Sequence, residues 1–172
     1  YYRYKGDSFH FIKRQALFAI VGVIGMLIIS KIDYHILRKF VFWVFGGAYA
    51  LLIVVLFMPP INNAHRWISL KVVTFQPSEI MKFAIILLFA HLISINYKRM
   101  GTFAYGVLPF LFFLGIVAVV MLLEPHLSGT VLIMSIGLIM MFVGGTKYRY
   151  FALALAMVVL GIIAIVMVKG ID

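Results

Sequence analysis

The chain has 172 residues, of which 65% are hydrophobic and only 12% charged, with a net charge of +10 and no cysteine. Its mean hydropathy is +1.15, whereas ordinary soluble domains are about 45–50% apolar and about 25% charged. A soluble domain of this size cannot hide that much apolar surface, so its solvent is expected to be a bilayer; disulfides and thiolate metal sites are excluded outright.

A spanning helix needs roughly 20 mostly apolar residues, and six such runs follow one another. The first is expected over 11–32, with Lys13 and Arg14 placed to snorkel at its edge. The second is expected over 40–59, the third over 77–97, the fourth over 104–123, the fifth over 127–144 and the sixth over 150–168. The runs are too long for strands and lack period-two alternation. The reading is therefore an all-α polytopic membrane bundle, a single transmembrane domain over 1–172 with no internal boundary. The first ten residues, "YYRYKGDSFH", are polar and do not resemble a secretory signal. A start at Tyr1 rather than Met, and a stop at Asp172 just past an apolar run, are expected of a fragment.

The basic residues lie mainly in short loops, which points to anionic lipid headgroups or an anionic lipid-linked substrate rather than to nucleic acid. They do not orient the chain. Lys31, Arg38, Lys39, Lys98, Arg99, Lys147 and Arg149 fall on one side, and Arg3, Lys5, Lys13, Arg14, Arg66, Lys71 and Lys169 equal them in number on the other.

The stretch "NNAHRWISLKVVTFQPSEIMKF", residues 62–83, is a charged island in this apolar chain. Pro77 suits the first position of a helix, where its missing N–H is no loss. Gln76 then falls at the cap, and Glu79 can reach back to free backbone N–H groups as a capping acid. Capping does not account for Lys82, which shares a helix face with Gln76, Glu79 and Ser78. A lysine inside a spanning helix costs roughly 3 kcal/mol near the bilayer centre and less near its edge, so such residues are functional candidates. Upstream, Trp67 suits an interfacial anchor, and Arg66 suits a planar anion such as phosphate. Arg66, Lys82 and the amino end of the third helix are expected to converge on a pyrophosphate.

A second polar interruption, "LLEPHLSGT", covers residues 122–130. By span parity His126, Ser128 and Thr130 share a membrane face with Arg66. The turn is read either as a plain connection or as part of the same cavity, with His126 protonatable near neutral pH. His91, inside the third run, reads as a packing histidine. The histidines at 10, 35, 65, 91 and 126 are scattered, with no metal-site spacing.

"AHRWISLKVVTFQPSEIMK" resembles the SEDS family (shape, elongation, division and sporulation), the FtsW, RodA and SpoVE group. Ala64, Arg66, Trp67, Ile68, Leu70, Phe75, Gln76, Pro77, Ser78, Glu79 and Lys82 carry the resemblance. "EPHLSGT" at 124–130 is similar to a later family landmark, and "FVGGTKYRYF" to the loop before the family's seventh helix. The resemblance implies a multi-pass protein of about ten helices in the bacterial inner membrane, of which this chain would hold the second to seventh. It implies a peptidoglycan glycosyltransferase that polymerises lipid II for division or cell shape, beside a class B penicillin-binding protein transpeptidase. "PHLSGT" leans toward the division or sporulation type. Loop 60–76 and turn 124–130 would lie on the outer face. Arg66, Trp67, Gln76, Ser78, Glu79, Lys82 and His126 would bind substrate. No cofactor is implied within the chain, and a divalent cation in the whole enzyme is compatible with pyrophosphate chemistry.

Two departures from the family pattern stand out. Glu124 and His126 replace a glutamine and an aspartate, so acid and base roles in that turn do not carry over. The family's essential aspartate lies in an outer loop after the seventh helix. Asp172 has no such context, so no catalytic residue is assigned here and this polypeptide alone is expected to be inactive. Two other readings remain open at the level of sequence. One is a lipid transporter gated by Glu79 and Lys82, and the other is a membrane scaffold without catalysis.

Overall fold

The computed structural model describes residues 10–31, 33–58, 67–70, 73–124 and 127–169. The chain divides into two compact units, residues 1–37 and 38–172.

The first unit holds α1 (His10–Ile29) and the opening turn of α2 (Tyr34–Leu56). Helix α1 exposes Leu17, Phe18, Ile20 and Val21 in close succession, a surface suited to lipid. Its last turn is tied by Ser30, whose Oγ donates to the Leu27 carbonyl at 2.8 Å. Asp33 caps α2. Its Oδ1 accepts from the His35 backbone N–H at 2.9 Å and lies 2.7 Å from His35 Nδ1, the geometry preferred at a helix N-cap. These hydrogen bonds, the backbone one first, hold the Asp33 carboxyl below its ordinary pKa.

In the second unit, α2 runs to Leu56, earlier at both ends than the expected 40–59 span. A two-stranded antiparallel hairpin follows, β1 (Ile68–Leu70) with β2 (Val73–Phe75), in the register Ile68↔Phe75 and Leu70↔Val73. Hydropathy does not reveal it: three residues per strand are too few for an alternation to register. Next come α3 (Pro77–Asn96), a 3₁₀ turn over Tyr97–Arg99, α4 (Phe103–Gly106), α5 (Leu108–Leu123), α6 (Leu127–Val143) and α7 (Tyr148–Lys169).

The fourth expected span is not one continuous helix. It breaks at Val107 (φ −128°, ψ −52°), two residues before Pro109. Proline lacks an N–H and its ring crowds the carbonyl four residues back, so the chain must shift there. Helix α6 ends in a Schellman motif. The N–H of Thr146 bonds the Met141 carbonyl and that of Gly145 the Phe142 carbonyl, and Gly145 takes the left-handed φ of +90° that this ending requires.

Three segments are long and apolar enough to cross a membrane, His35–Leu56, Pro77–Arg99 and Phe103–Leu123, and shorter apolar stretches lie in the other helices among the described residues. The core of the second unit is built where their inward stripes meet. Met81, Ile85, Leu88 and Leu92 recur at helical spacing along α3 and are buried. Phe89 meets Phe110 of α5 edge to face, with centroids 4.8 Å apart. A Cβ on Gly137 would come within 2.7 Å of Leu114, so α5 and α6 pack closely through that glycine. Outward side chains such as Phe112, Val119 and Leu123 are exposed and apolar, the inverse of a soluble surface and the pattern lipid favours.

Candidate functional site

Helix α3 begins where the sequence predicts. Pro77 occupies the first turn, and Gln76 is the N-cap in extended conformation (φ −108°, ψ 118°), with no cap hydrogen bond from its side chain. Glu79 does not turn back to cap the helix. Its carboxylate lies 2.7 Å from Lys82 Nζ, one turn on. The pair is asymmetric: the Lys82 side chain is 22% exposed and that of Glu79 62%. The ammonium stem is held against protein while the carboxylate faces outward, a snorkelling geometry that presents Lys82 toward the end of the helix.

Ser78 sits one residue inside α3 and is only 2% exposed. Its Oγ has no hydrogen-bond partner among the described groups. A buried hydroxyl without a partner is uncommon, and it offers one donor and acceptor sites to a ligand.

These groups line a cavity of about 230 Å³. One wall is the start of α3, with Gln76, Ser78, Glu79 and Lys82; the other is the start of α6, with Ser128, Gly129, Leu132 and Ile133. Two helix N-termini therefore share one cavity. Each carries unpaired N–H groups and a partial positive charge, and both act with Lys82 in the same sense. A site of this kind accepts an anion of phosphate size.

The hairpin explains how Trp67 belongs here. One step outward from the Ile68↔Phe75 pair, the register sets Trp67 opposite Gln76, at the mouth of α3. Ile68 is buried beside it, while Trp67 remains 39% exposed, as suits an anchor at headgroup depth. Of the seven residues singled out from sequence, Gln76, Ser78, Glu79 and Lys82 come together and Trp67 lies next to them. Arg66 and His126 lie outside the described residues. Leu132 and Ile133 complete the wall without any sequence signal, because an apolar residue on a membrane helix looks the same on every face. Ser128 lies where one of the two sequence readings of the 122–130 turn set it, in the same cavity, whereas Gly129 carried no signal of its own.

Glu124 ends α5 and is 1% exposed. His91 packs edge-on against Phe42, centroids 5.7 Å apart. That agrees with a packing role, although its Nδ1 is buried without a hydrogen bond. Among the described residues no three His, Asp or Glu side chains gather as a metal site would require.

Comparison with known proteins gives a consistent picture. The family model for the cell cycle proteins FtsW, RodA and SpoVE matches residues 1–171. A probable peptidoglycan glycosyltransferase FtsW from Geobacter sp. (strain M18) is 34% identical over 148 residues, covering 84% of this chain and 40% of the relative. Stage V sporulation protein E of Bacillus subtilis is 32% identical over 149 residues, again 84% of this chain and 40% of the relative. The crystal structure of the rod shape determining protein RodA of Thermus thermophilus superposes with a TM-score of 0.74 at 20% identity, covering 95% of this chain and 52% of that one. A chain from a peptidoglycan synthase complex that coordinates polymerization and crosslinking gives a TM-score of 0.72 at 22% identity, covering 91% and 46%. The chain thus spans about two fifths of the length of the curated relatives it matches.

Proposed function

The chain belongs to the cell cycle protein family of FtsW, RodA and SpoVE, and from that premise we propose that it carries the substrate-binding part of a peptidoglycan glycosyltransferase acting on lipid II. The observation that carries the proposal is the cavity shared by the first turns of α3 and α6 and faced by Lys82. Lipid II joins its sugar to an undecaprenyl chain through a pyrophosphate. In glycosyl transfer the bond from the anomeric carbon to the pyrophosphate oxygen breaks, a sugar hydroxyl forms the new bond, and negative charge grows on the leaving oxygen. Groups placed to meet that charge lower the barrier.

In this reading Lys82 and the two helix ends take the pyrophosphate, and Arg66 joins them from the loop. Ser78 Oγ donates to a phosphate oxygen. Glu79 holds the Lys82 ammonium at the mouth of the cavity, Gln76 and Trp67 border the sugar side, and His126, which directly precedes α6 in the sequence, is the remaining candidate for substrate contact. The general base that activates the attacking hydroxyl is not assigned within this chain. Among the described residues that line the cavity the one carboxylate, Glu79, is engaged by Lys82, and a divalent cation that assists would come with the pyrophosphate.

The cavity end would face outward from the bacterial inner membrane, where lipid II presents its head, and a class B penicillin-binding protein transpeptidase would be the partner. The synthase complex among the structural relatives supports that pairing. The wide exposure of Glu79 weighs against a transporter gate, which needs its ion pair buried when closed. The test is lipid II polymerisation by the full-length protein. Lys82→Ala should lower glycan product about 10²–10³-fold, the usual loss of one charge-stabilising donor, with membrane insertion unchanged. Near-normal product would refute the assignment.

A further inference from the structure

At the opposite end of the second unit, two loops are locked together. The turn after α3, residues 97–102, carries Lys98 and Arg99, the connection from α6 into α7 carries Lys147, and the first turn of α7 carries Arg149; all four are exposed. Thr146 is buried, and its Oγ1 donates to the Gly106 carbonyl at 3.0 Å. The Lys147 stem lies on Gly101, where an added Cβ would stand 3.3 Å from Lys147 Cε. A Cβ on Gly106 would meet the Met100 carbonyl oxygen at 2.0 Å, and one on Gly144 would meet Ile93 at 2.9 Å. The joint is therefore built for close approach, and it draws cations from segments far apart in sequence into one patch.

The patch has no counter-charge of its own. Residues 97–106 and 144–150 contain no acid. Glu79 and Glu124 lie at the far ends of α3 and α5, and α3, with 20 residues, is about 30 Å long. Arg99 is held in place: its Nη1 donates to Tyr105 Oη at 3.3 Å, and its Cζ stands 5.2 Å from the centroid of the same ring. Most of its donor fork is left for a planar anion. Tyr97 and Tyr148 are widely exposed beside these cations, as tyrosines are at headgroup depth.

We propose that the joined loops 97–102 and 144–149 form a binding site for anionic phospholipid headgroups. The loops cap helices that end at the membrane surface, so lipid phosphates are the anions at that level. A phosphate set between cations from both loops relieves their mutual repulsion and fixes the end of α7 against the end of α3. This site is separate from the cavity at the other ends of α3 and α6 and does not depend on what that cavity binds.

Native mass spectrometry of the full-length protein with added cardiolipin or phosphatidylcholine tests the proposal. The protein should retain cardiolipin in preference to phosphatidylcholine. Lys98→Gln and Lys147→Gln should each weaken cardiolipin retention about fivefold, the usual effect of one surface cation on an anionic lipid, and the Lys98→Gln/Arg99→Gln/Lys147→Gln/Arg149→Gln variant should abolish the preference. Lys98→Arg/Lys147→Arg should keep it. Gly101→Leu, which displaces the Lys147 stem without changing charge, should weaken it. Undiminished cardiolipin retention by both single variants, equal retention of phosphatidylcholine, or displacement of cardiolipin by millimolar inorganic phosphate at matched ionic strength would overturn the proposal.

Discussion

The two ends of the second unit use charge in opposite ways. At the α3–α6 end, one cation is half sheltered, paired with an acid at 2.7 Å, and aimed with two helix N-termini at a small cavity. At the other end, four exposed cations, three on loops and Arg149 in the first turn of α7, are gathered where the loops are tied by glycine contacts and one buried threonine. The first arrangement lowers the number of orientations available to an anion, which is what chemistry at a fixed point requires. The second multiplies charge over a surface, which suits a mobile lipid and is readily screened by salt. On the two proposals, the same kind of residue does two jobs, separated by how much water reaches it.

The largest effect should follow Lys82→Ala in a polymerisation assay of the full-length protein, a loss of about 10²–10³-fold; Lys147→Ala in the same assay should leave product formation within about twofold, as expected of a surface charge. Next in size is Gly106→Ala. Its new Cβ would run into the backbone oxygen of Met100, which no rotamer change can relieve, and thermal unfolding in detergent should register a loss of about 3 kcal/mol; an unchanged midpoint would mean the turn after α3 does not fold onto α4 as described. Ser78→Ala should be nearly silent in stability, because its hydroxyl has no partner to lose, yet lower affinity for an undecaprenyl pyrophosphate about tenfold, the worth of a hydrogen bond to a charged group. Equal loss in both readouts would make Ser78 a structural residue only.

The smallest effect concerns the first unit. The Asp33 carboxyl has its pKa depressed by its bonds to His35. A depressed acid contributes stability that is full above its unfolded pKa and lost as pH falls through the lowered folded value. Hydrogen exchange in the first turn of α2 should therefore be unchanged at neutral pH and accelerate only in acid, below the ordinary carboxylate range. Asp33→Asn, which keeps a capping oxygen, should remove the pH dependence while leaving the neutral protection nearly intact.

Much of this was legible in the sequence because membrane helices announce themselves by long apolar runs. The start of α3 was fixed to the residue by Pro77 with Gln76 before it, and the i, i+3 spacing put Glu79 and Lys82 on one face, although Glu79 pairs with Lys82 rather than capping the helix. The hairpin was not legible. Its strands are three residues each, and only pairing makes the interval from Trp67 to Gln76 fold back. The break at Val107 was written in Pro109 but masked by apolar residues on both sides, since hydropathy is blind to a missing N–H. The α6 wall was half legible: Ser128 stood out as polar, whereas Leu132 and Ile133 did not, because position rather than residue type sets them on the cavity.

The central claim is that the α3–α6 end holds a pyrophosphate through Lys82. It is tested most directly by binding undecaprenyl pyrophosphate to the full-length protein in nanodiscs, with Lys82→Ala and Lys147→Ala measured side by side. Lys82→Ala should weaken binding at least about tenfold, as loss of a charge-assisted contact does, while Lys147→Ala should leave it unchanged. Equal affinity for the two variants, whether both weakened or both intact, would contradict it.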